Sequence, residues 1–204
     1  MQKIFLGGVI LKAVCILGSP KPKGNTATIL DEIERPLIEQ GFEVIRHCLG
    51  ERNICFCTGC VSCFESGQCV QNDDVHMIIS DLIESSLVIV ASPSYWGDVT
   101  GQMKVFIDRC TPYCNARHTD RISESTVKGV AVAVRAGRSK EENENLVKTI
   151  EHFLGHLNIP LISKFTVESV DTEEDLIEKP EILSAAYNFG KNLIMLLGCV
   201  VCEP

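Results

Sequence analysis

The sequence predicts an α/β domain on a doubly wound, five-stranded parallel sheet, and three observations carry that prediction. Short apolar runs of strand length recur at Lys12–Leu17, Leu87–Ala91 and Val127–Arg135. Such runs suit strands covered on both faces. Between them lie stretches with apolar residues at helical spacing, so strand and helix alternate along the chain. Finally, 204 residues with 45% hydrophobic content suffice to bury a core on both faces of one sheet, as a single domain over 1–204.

The elements follow in order. Residues 1–11 form a lead-in to the first strand. Lys3 before the apolar run Ile4–Leu11 imitates a targeting signal, but Lys12 cuts the run short, no small-x-small site follows, and Val14 precedes Cys15 where a lipoprotein site needs a small residue. Strand one, Lys12–Leu17, ends at Gly18-Ser19-Pro20. Asn25 or Thr26 is expected to cap the first helix, whose Ile29, Leu30, Ile33, Leu37 and Ile38 recur at helical spacing until Gly41. Phe42–Cys48 is strand two. Leu49–Asn72 shows little periodicity and reads as a long ordered loop, a kind of segment that usually serves function. Asp73 or Asp74 then caps a helix through Glu84. Leu87–Ala91 is the central strand, ending at Ser92-Pro93, and Thr100 caps a helix through Arg109.

Val127–Arg135 is strand four. Ser139 and Glu142 have capping-box spacing for a helix to about Leu157. Ile162–Val170 is strand five. Thr172 with Asp175 opens the last helical region, and Pro180 suits the first position of a helix to Leu197. Parallel pairing with right-handed crossovers follows from this alternation, and the flavodoxin-like order 2-1-3-4-5 accommodates it. Ligands then collect at the C-terminal ends of strands one, three and four.

Composition narrows the function. Nineteen basic against 27 acidic residues leave a net charge of -8, the wrong sign for a nucleic-acid partner. No unbroken apolar stretch of about 20 residues is present for a membrane span, so a cytoplasmic protein is expected. Eleven cysteines are too many for packing alone, and an odd number cannot all pair as disulfides, which points to metal or redox work.

The loop Gly18-Ser19-Pro20-Lys21-Pro22-Lys23-Gly24-Asn25-Thr26 joins strand one to a helix N-terminus, where free N–H groups and a positive dipole end suit an anion. It is neither a Walker A loop nor a G-x-G-x-x-G fingerprint. Its Ser and Asn suit a plain helix cap equally well. The loop after strand three, Pro93-Ser94-Tyr95-Trp96-Gly97, decides for a ligand, since it puts the only Trp at the same crevice, where flat aromatics can border a flavin ring.

Gly18-Ser-Pro-Lys21 with Gly24-Asn25-Thr26, Ser92-Pro-Ser-Tyr-Trp-Gly97, and Gly101-Gln-Met-Lys104 through Phe106-Ile-Asp-Arg109 together resemble the NADPH-dependent FMN reductase family over nearly the whole chain. The resemblance implies an FMN phosphate site at Ser19, Lys21, Asn25 and Thr26, with Pro93, Ser94, Tyr95, Trp96 and Gly97 along the flavin. One segment departs from the family. Where many relatives carry a glycine-rich loop after strand four, this chain reads Arg135-Ala136-Gly137-Arg138, leaving Gly137 as the residue able to approach the flavin and narrowing the room for a nicotinamide donor.

Cys55, Cys57, Cys60, Cys63 and Cys69 crowd one loop, and four of them spell C-x2-C-x2-C-x5-C. Thiolates at two-residue gaps can converge on a cubane iron-sulfur cluster, with Gly59 and Gly67 easing the turns. Zinc also takes four thiolates, though more often from two separated pairs, and metal-free thiols remain a further alternative. The same run resembles the cysteine motif of the iron-sulfur flavoproteins, a branch of the reductase family found mainly in anaerobes. That resemblance implies FMN and a 4Fe-4S cluster in each subunit, Cys57, Cys60, Cys63 and Cys69 as ligands, Cys55 as a spare, and homodimers or homotetramers that bring cluster and flavin of neighbouring subunits together.

Other residues read as structural. Cys15 and Cys48 are small strand hydrophobes; Cys110 and Cys114 flank a helix end; Cys199 and Cys202 form a frayed tail. His152 and His156 share an exposed helix face, with Phe153 where a zinc protease needs Glu. The acidic run Asp171–Glu178 is a solvated helix start. Three functions follow. The first is an oxidoreductase passing electrons from a ferredoxin-like donor through a 4Fe-4S cluster and FMN to a quinone, O2 or peroxide, with no catalytic side chain required. The second is a cluster-free NAD(P)H-dependent flavin or quinone reductase. The third is a zinc-stabilised or redox-sensing module without turnover.

Overall fold

The computed structural model describes residues 5–6, 9–115 and 126–198. Its centre is a five-stranded parallel sheet of β1 (Lys12–Leu17), β2 (Glu43–Cys48), β3 (Leu87–Pro93), β4 (Lys128–Val134) and β5 (Leu161–Val167). The strands lie in the order 2-1-3-4-5, every neighbouring pair parallel. A two-stranded ribbon, Phe5–Leu6 with Val9–Ile10, precedes the sheet.

Period-two alternation explains why both faces are covered. Ala13, Cys15, Leu17, Ile89 and Val132 point to one face, where α1 (Asn25–Glu39) and α6 (Pro180–Leu196) pack. Val14, Ile16, Val88, Val90 and Ala131 point to the other, under α2 (Val75–Ile83), α3 (Gly101–Arg109) and α4 (Lys140–His156). On the first face the helices nearly touch. A Cβ added at Gly190 of α6 would lie 2.3 Å from the Ile33 carbonyl of α1, so only glycine permits this approach.

Several expectations are refined. Strand five stops at Val167 rather than Val170, while β3 runs on to Pro93. The loop at 49–72 contains a 3-10 turn, Leu49–Glu51, and one helical turn, Cys63–Ser66. Asn25 falls inside α1, whose N-cap Gly24 leaves it without a side-chain cap. Ser139 stands at the N-cap of α4 but makes no side-chain cap, and Glu142, the other half of the expected capping box, pairs with Arg135. Thr100 does cap α3, its hydroxyl accepting from Met103 N, and the Thr172/Asp175 capping box opens α5 (Glu173–Glu178). Cys199 and Cys202 lie outside the described residues. Among the described residues no helix is long and apolar enough to cross a membrane.

Candidate functional site

The C-terminal ends of β1 and β3 converge on a cavity of about 830 Å³, walled by the 19–26 loop, Pro93 to Tyr95, Ala136 and residues 170–173. That volume falls within the usual span of small-molecule sites, about 300–1,000 Å³. Ser19 is buried, and its hydroxyl closes the turn by accepting from Lys21 N (3.1 Å) and donating to Lys21 O (3.2 Å). Thr26 is buried in the first turn of α1, and the Asn25 amide donates to Thr172 O at 2.9 Å. Because α1 has neither a side-chain cap nor an acid in its first turn, its leading amides and dipole end face the cavity unopposed. At α5 the reverse holds, since Asp175 accepts from Asp171 N (2.8 Å) and Thr172 N (2.9 Å). An anion therefore finds its donors at α1.

The β3 loop supplies the opposite wall. Ser94 N donates to Val134 O at 2.7 Å, while the Ser94 hydroxyl is buried without a hydrogen-bond partner. An orphaned hydroxyl costs about 1–3 kcal/mol, and its place in the cavity lining suits it to a polar edge of a ligand. Tyr95 and Asp98 exchange backbone bonds of 2.9 and 3.2 Å around a tight turn whose central residues, Trp96 and Gly97, have φ of 56° and 78°. Trp96 is thus held in the left-handed region and stands fully in solvent at 104% relative exposure. Seven of the expected FMN contacts line the cavity, namely Ser19, Lys21, Asn25, Thr26, Pro93, Ser94 and Tyr95. Trp96, Gly97 and Gly137 are not among its lining. At Gly137 the Arg135 guanidinium lies where a Cβ would be, 2.7 Å from it.

The second cluster lies beyond the other end of α3. Cys57, Cys60, Cys63 and Cys69 all line one small cavity of about 30 Å³ together with Arg109. Positive φ at Gly59, Val61 and Gly67 (67°, 55° and 67°) turns the backbone sharply around it. For the β-branched Val61 this is a costly conformation, held by the surrounding loop. Burial pushes the Cys63 thiol up, with the neighbouring Cys69, Cys60 and Cys57 sulfurs adding to the rise. The Ser62 backbone N–H draws the Cys60 thiol down. Among the described residues no three His, Cys, Asp or Glu side chains are gathered tightly enough to hold one metal ion.

A buried ion pair anchors this loop, and the sequence reading missed it. Asp73 and Arg109 are 2% and 1% exposed and paired. Asp73 Oδ2 also accepts from Cys55 N at 3.0 Å, and Arg109 donates to Cys55 O at 2.9 Å. Asp73 had looked like a helix cap and Arg109 like part of a helix end; only their burial reveals the pairing. The same helix ties the two clusters together. At its start Thr100 Oγ1 donates to Gly18 O at 2.5 Å, and at its end sits Arg109. Nine helical residues span about 13 Å.

Residues 11–171 match the model of the family described as NADPH-dependent FMN reductase. The chain belongs to this family. Among its FMN reductase relatives, an iron-sulfur flavoprotein of Archaeoglobus fulgidus is 42% identical over 135 residues, 65% of this chain and 58% of that protein. The chain thus spans less than two thirds of that relative's length. An iron-sulfur flavoprotein of Methanocaldococcus jannaschii is 33% identical over 72% of this chain and 73% of its own. In structure, an NAD(P)H:quinone oxidoreductase from Methanothermobacter marburgensis superposes with a TM-score of 0.69 at 15% identity, over 91% of this chain and 96% of that one. That likeness confirms the flavodoxin-like fold of this FMN reductase family member.

Other residues fall largely where the sequence placed them. Cys15 is buried and Cys48 half-buried, and burial pushes both thiols up. His152 and His156 are exposed, but they are not isolated. Their Nε2 atoms lie 3.1 Å apart, and Cys114 Sγ is 3.4 Å from His156 Nδ1. The wall at 170–173 was not foreseen, because an acidic helix start reads as solvated surface.

Proposed function

We propose that the protein is a flavin-dependent oxidoreductase that holds FMN in the cavity between the 19–26 loop and the β3 loop, and a 4Fe-4S cluster on Cys57, Cys60, Cys63 and Cys69. In this reading it takes electrons from a ferredoxin-like donor and delivers them to a small acceptor such as a quinone, O2 or peroxide. Family membership supports the flavin, and the observation that carries its placement is the uncapped N-terminus of α1 facing a cavity whose far wall presents the unpartnered Ser94 hydroxyl. The α1 amides with Lys21 would hold the phosphate, Ser19 would keep the loop in shape, and Ser94 and Tyr95 would meet the ring. Bound FMN exchanges one or two electrons and a cluster one at a time, so a chain holding both converts between the two modes.

Four cysteines on one cavity, and relatives named iron-sulfur flavoprotein, support the cluster. Thiolates on one zinc ion, each about 2.3 Å from it, must crowd together, whereas those on a cubane occupy separate corners. Zinc sites also draw more often on two separated pairs than on one compact C-x2-C-x2-C-x5-C run, which favours the cluster.

A homodimer or homotetramer would let a neighbouring chain cover the exposed Trp96. Steady-state turnover tests the donor. Reduction of the flavin by reduced ferredoxin, with NADPH ineffective, is the expected outcome. Rapid NADPH oxidation by iron-free protein would instead establish a cluster-free FMN or quinone reductase, a reading that the family's own description keeps in view.

A further inference from the structure

Arg109 heads the fully buried side chains among the described residues, at 1% exposure. A guanidinium in the interior needs a compensating charge and partners for five N–H donors. Asp73 provides the charge. Both terminal nitrogens of Arg109 bond its carboxylate, Nη2 at 3.1 Å and Nη1 closer still, and Nη1 also donates to Cys55 O. Two donors are left over, and one of them, Nε–H, is buried with no hydrogen-bond partner. Such an orphan costs about 1–3 kcal/mol, yet this side chain lines the same small cavity as the four cysteines. Burial opposes the charge on the guanidinium, but Asp73, with the Cys69 sulfur behind it, holds it firmly protonated.

We propose that Arg109 is the charge partner of the group bound in the cysteine cavity, its Nε–H donating to sulfur on the Cys69 side and stabilising the more negative, reduced state. The inference rests on the reading that Cys57, Cys60, Cys63 and Cys69 hold a cluster. One electron added to that cluster adds one negative charge, with no bond made or broken. Because arginine stays protonated throughout, no proton moves with the electron. Arg109 is then a positioning and electrostatic residue rather than a catalytic one. Hydrogen bonds and charge around cluster sulfurs are established levers on reduction potential, and this one comes paired with its own counterweight, Asp73.

The pairing gives two substitutions opposite signs. Arg109→Gln removes the positive charge and should lower the cluster's reduction potential, by about tenfold or more in the reduction equilibrium, which for one electron is about 59 mV. Asp73→Asn leaves the guanidinium unbalanced and should raise it. Arg109→Lys keeps the charge and should stay nearer to the parent than Arg109→Gln does. The measurement is an EPR-monitored redox titration of the anaerobically purified holoprotein and each variant, with iron and sulfide determined on the same samples. Opposite shifts for Arg109→Gln and Asp73→Asn, with partial rescue by Arg109→Lys, would establish the role. An unchanged potential in a cluster-loaded Arg109→Gln protein would overturn it. Should Arg109→Gln fail to fold or lose iron, Asp73→Asn and Arg109→Lys decide: an unaltered or lowered potential in Asp73→Asn refutes the proposal. Absence of iron from the parent protein itself would instead refute the cluster reading, and this inference with it.

Discussion

Thr100 joins the two halves of the candidate site, and replacing it tests the physical logic of both. Its side chain is fully buried, donates to Gly18 O at 2.5 Å and accepts from Met103 N at 3.2 Å. In Thr100→Ala the α3 cap is lost, at about 1 kcal/mol. The Gly18 carbonyl also loses its hydroxyl donor in a buried place, at about 1–3 kcal/mol. The two sum to about 2–4 kcal/mol, a large share of the roughly 5–15 kcal/mol that a domain has. Thr100→Ser keeps both hydrogen bonds and gives up one methyl, about 0.8 kcal/mol. Urea denaturation of the cofactor-free protein measures this directly, and FMN titration should show weaker binding in Thr100→Ala, since Gly18 begins the loop proposed to hold the phosphate. Equal destabilisation by Ser and Ala would show that packing of the methyl, not the hydroxyl, holds α3 to the loop.

Further predictions follow from single contacts. Gly190→Ala should destabilise by about 1–3 kcal/mol through overpacking against an Ile33 carbonyl only 2.3 Å from the new Cβ, outweighing the gain in helix propensity. An unchanged or higher melting temperature would deny the close approach of α1 and α6. His47 is held below the ordinary imidazole pKa by burial and by Arg52, against the pull of Asp81. An unfolded His47 therefore takes up a proton first, near pH 6.5. Stability conferred by the neutral ring is present above that value and is lost as pH falls through it. The urea midpoint should accordingly drop between pH 7.5 and 5.5 in the parent and drop less in His47→Gln; identical slopes would refute the assignment. Cys63→Ala should abolish the EPR signal of the reduced protein and leave FMN bound, whereas loss of FMN as well would mean that the two sites are not separate.

Sheet order and strand placement were legible in the sequence because parallel strands covered on both faces have to be continuous apolar runs, as Leu87–Ala91 is. Strand ends were less legible, since β5 stops where Val167 stops pairing and no breaker marks the place. The 19–26 loop was readable from its position between strand and helix, but the contacts that shape it were not. Asn25 was expected to cap α1 and instead bonds Thr172, 147 residues away, a contact no local pattern encodes. The cysteine spacing was legible, and the structure brings Cys57, Cys60, Cys63 and Cys69 to one small cavity. The Asp73–Arg109 pair was not legible, because a charged residue at a helix end looks the same in sequence whether solvent or a buried partner receives it. Ser139 and Glu142 show the converse, a local capping signal overridden by the tertiary partner Arg135.

We propose above that one chain carries both FMN and a 4Fe-4S cluster on Cys57, Cys60, Cys63 and Cys69. Anaerobic purification followed by FMN, iron, sulfide and zinc analysis, with EPR of the reduced protein, tests it most directly. A yellow-brown protein with one FMN and one cluster per chain and an EPR signal typical of a reduced cubane is the expected result. A colourless protein with one zinc per chain, or a yellow one lacking iron and sulfide, would contradict it.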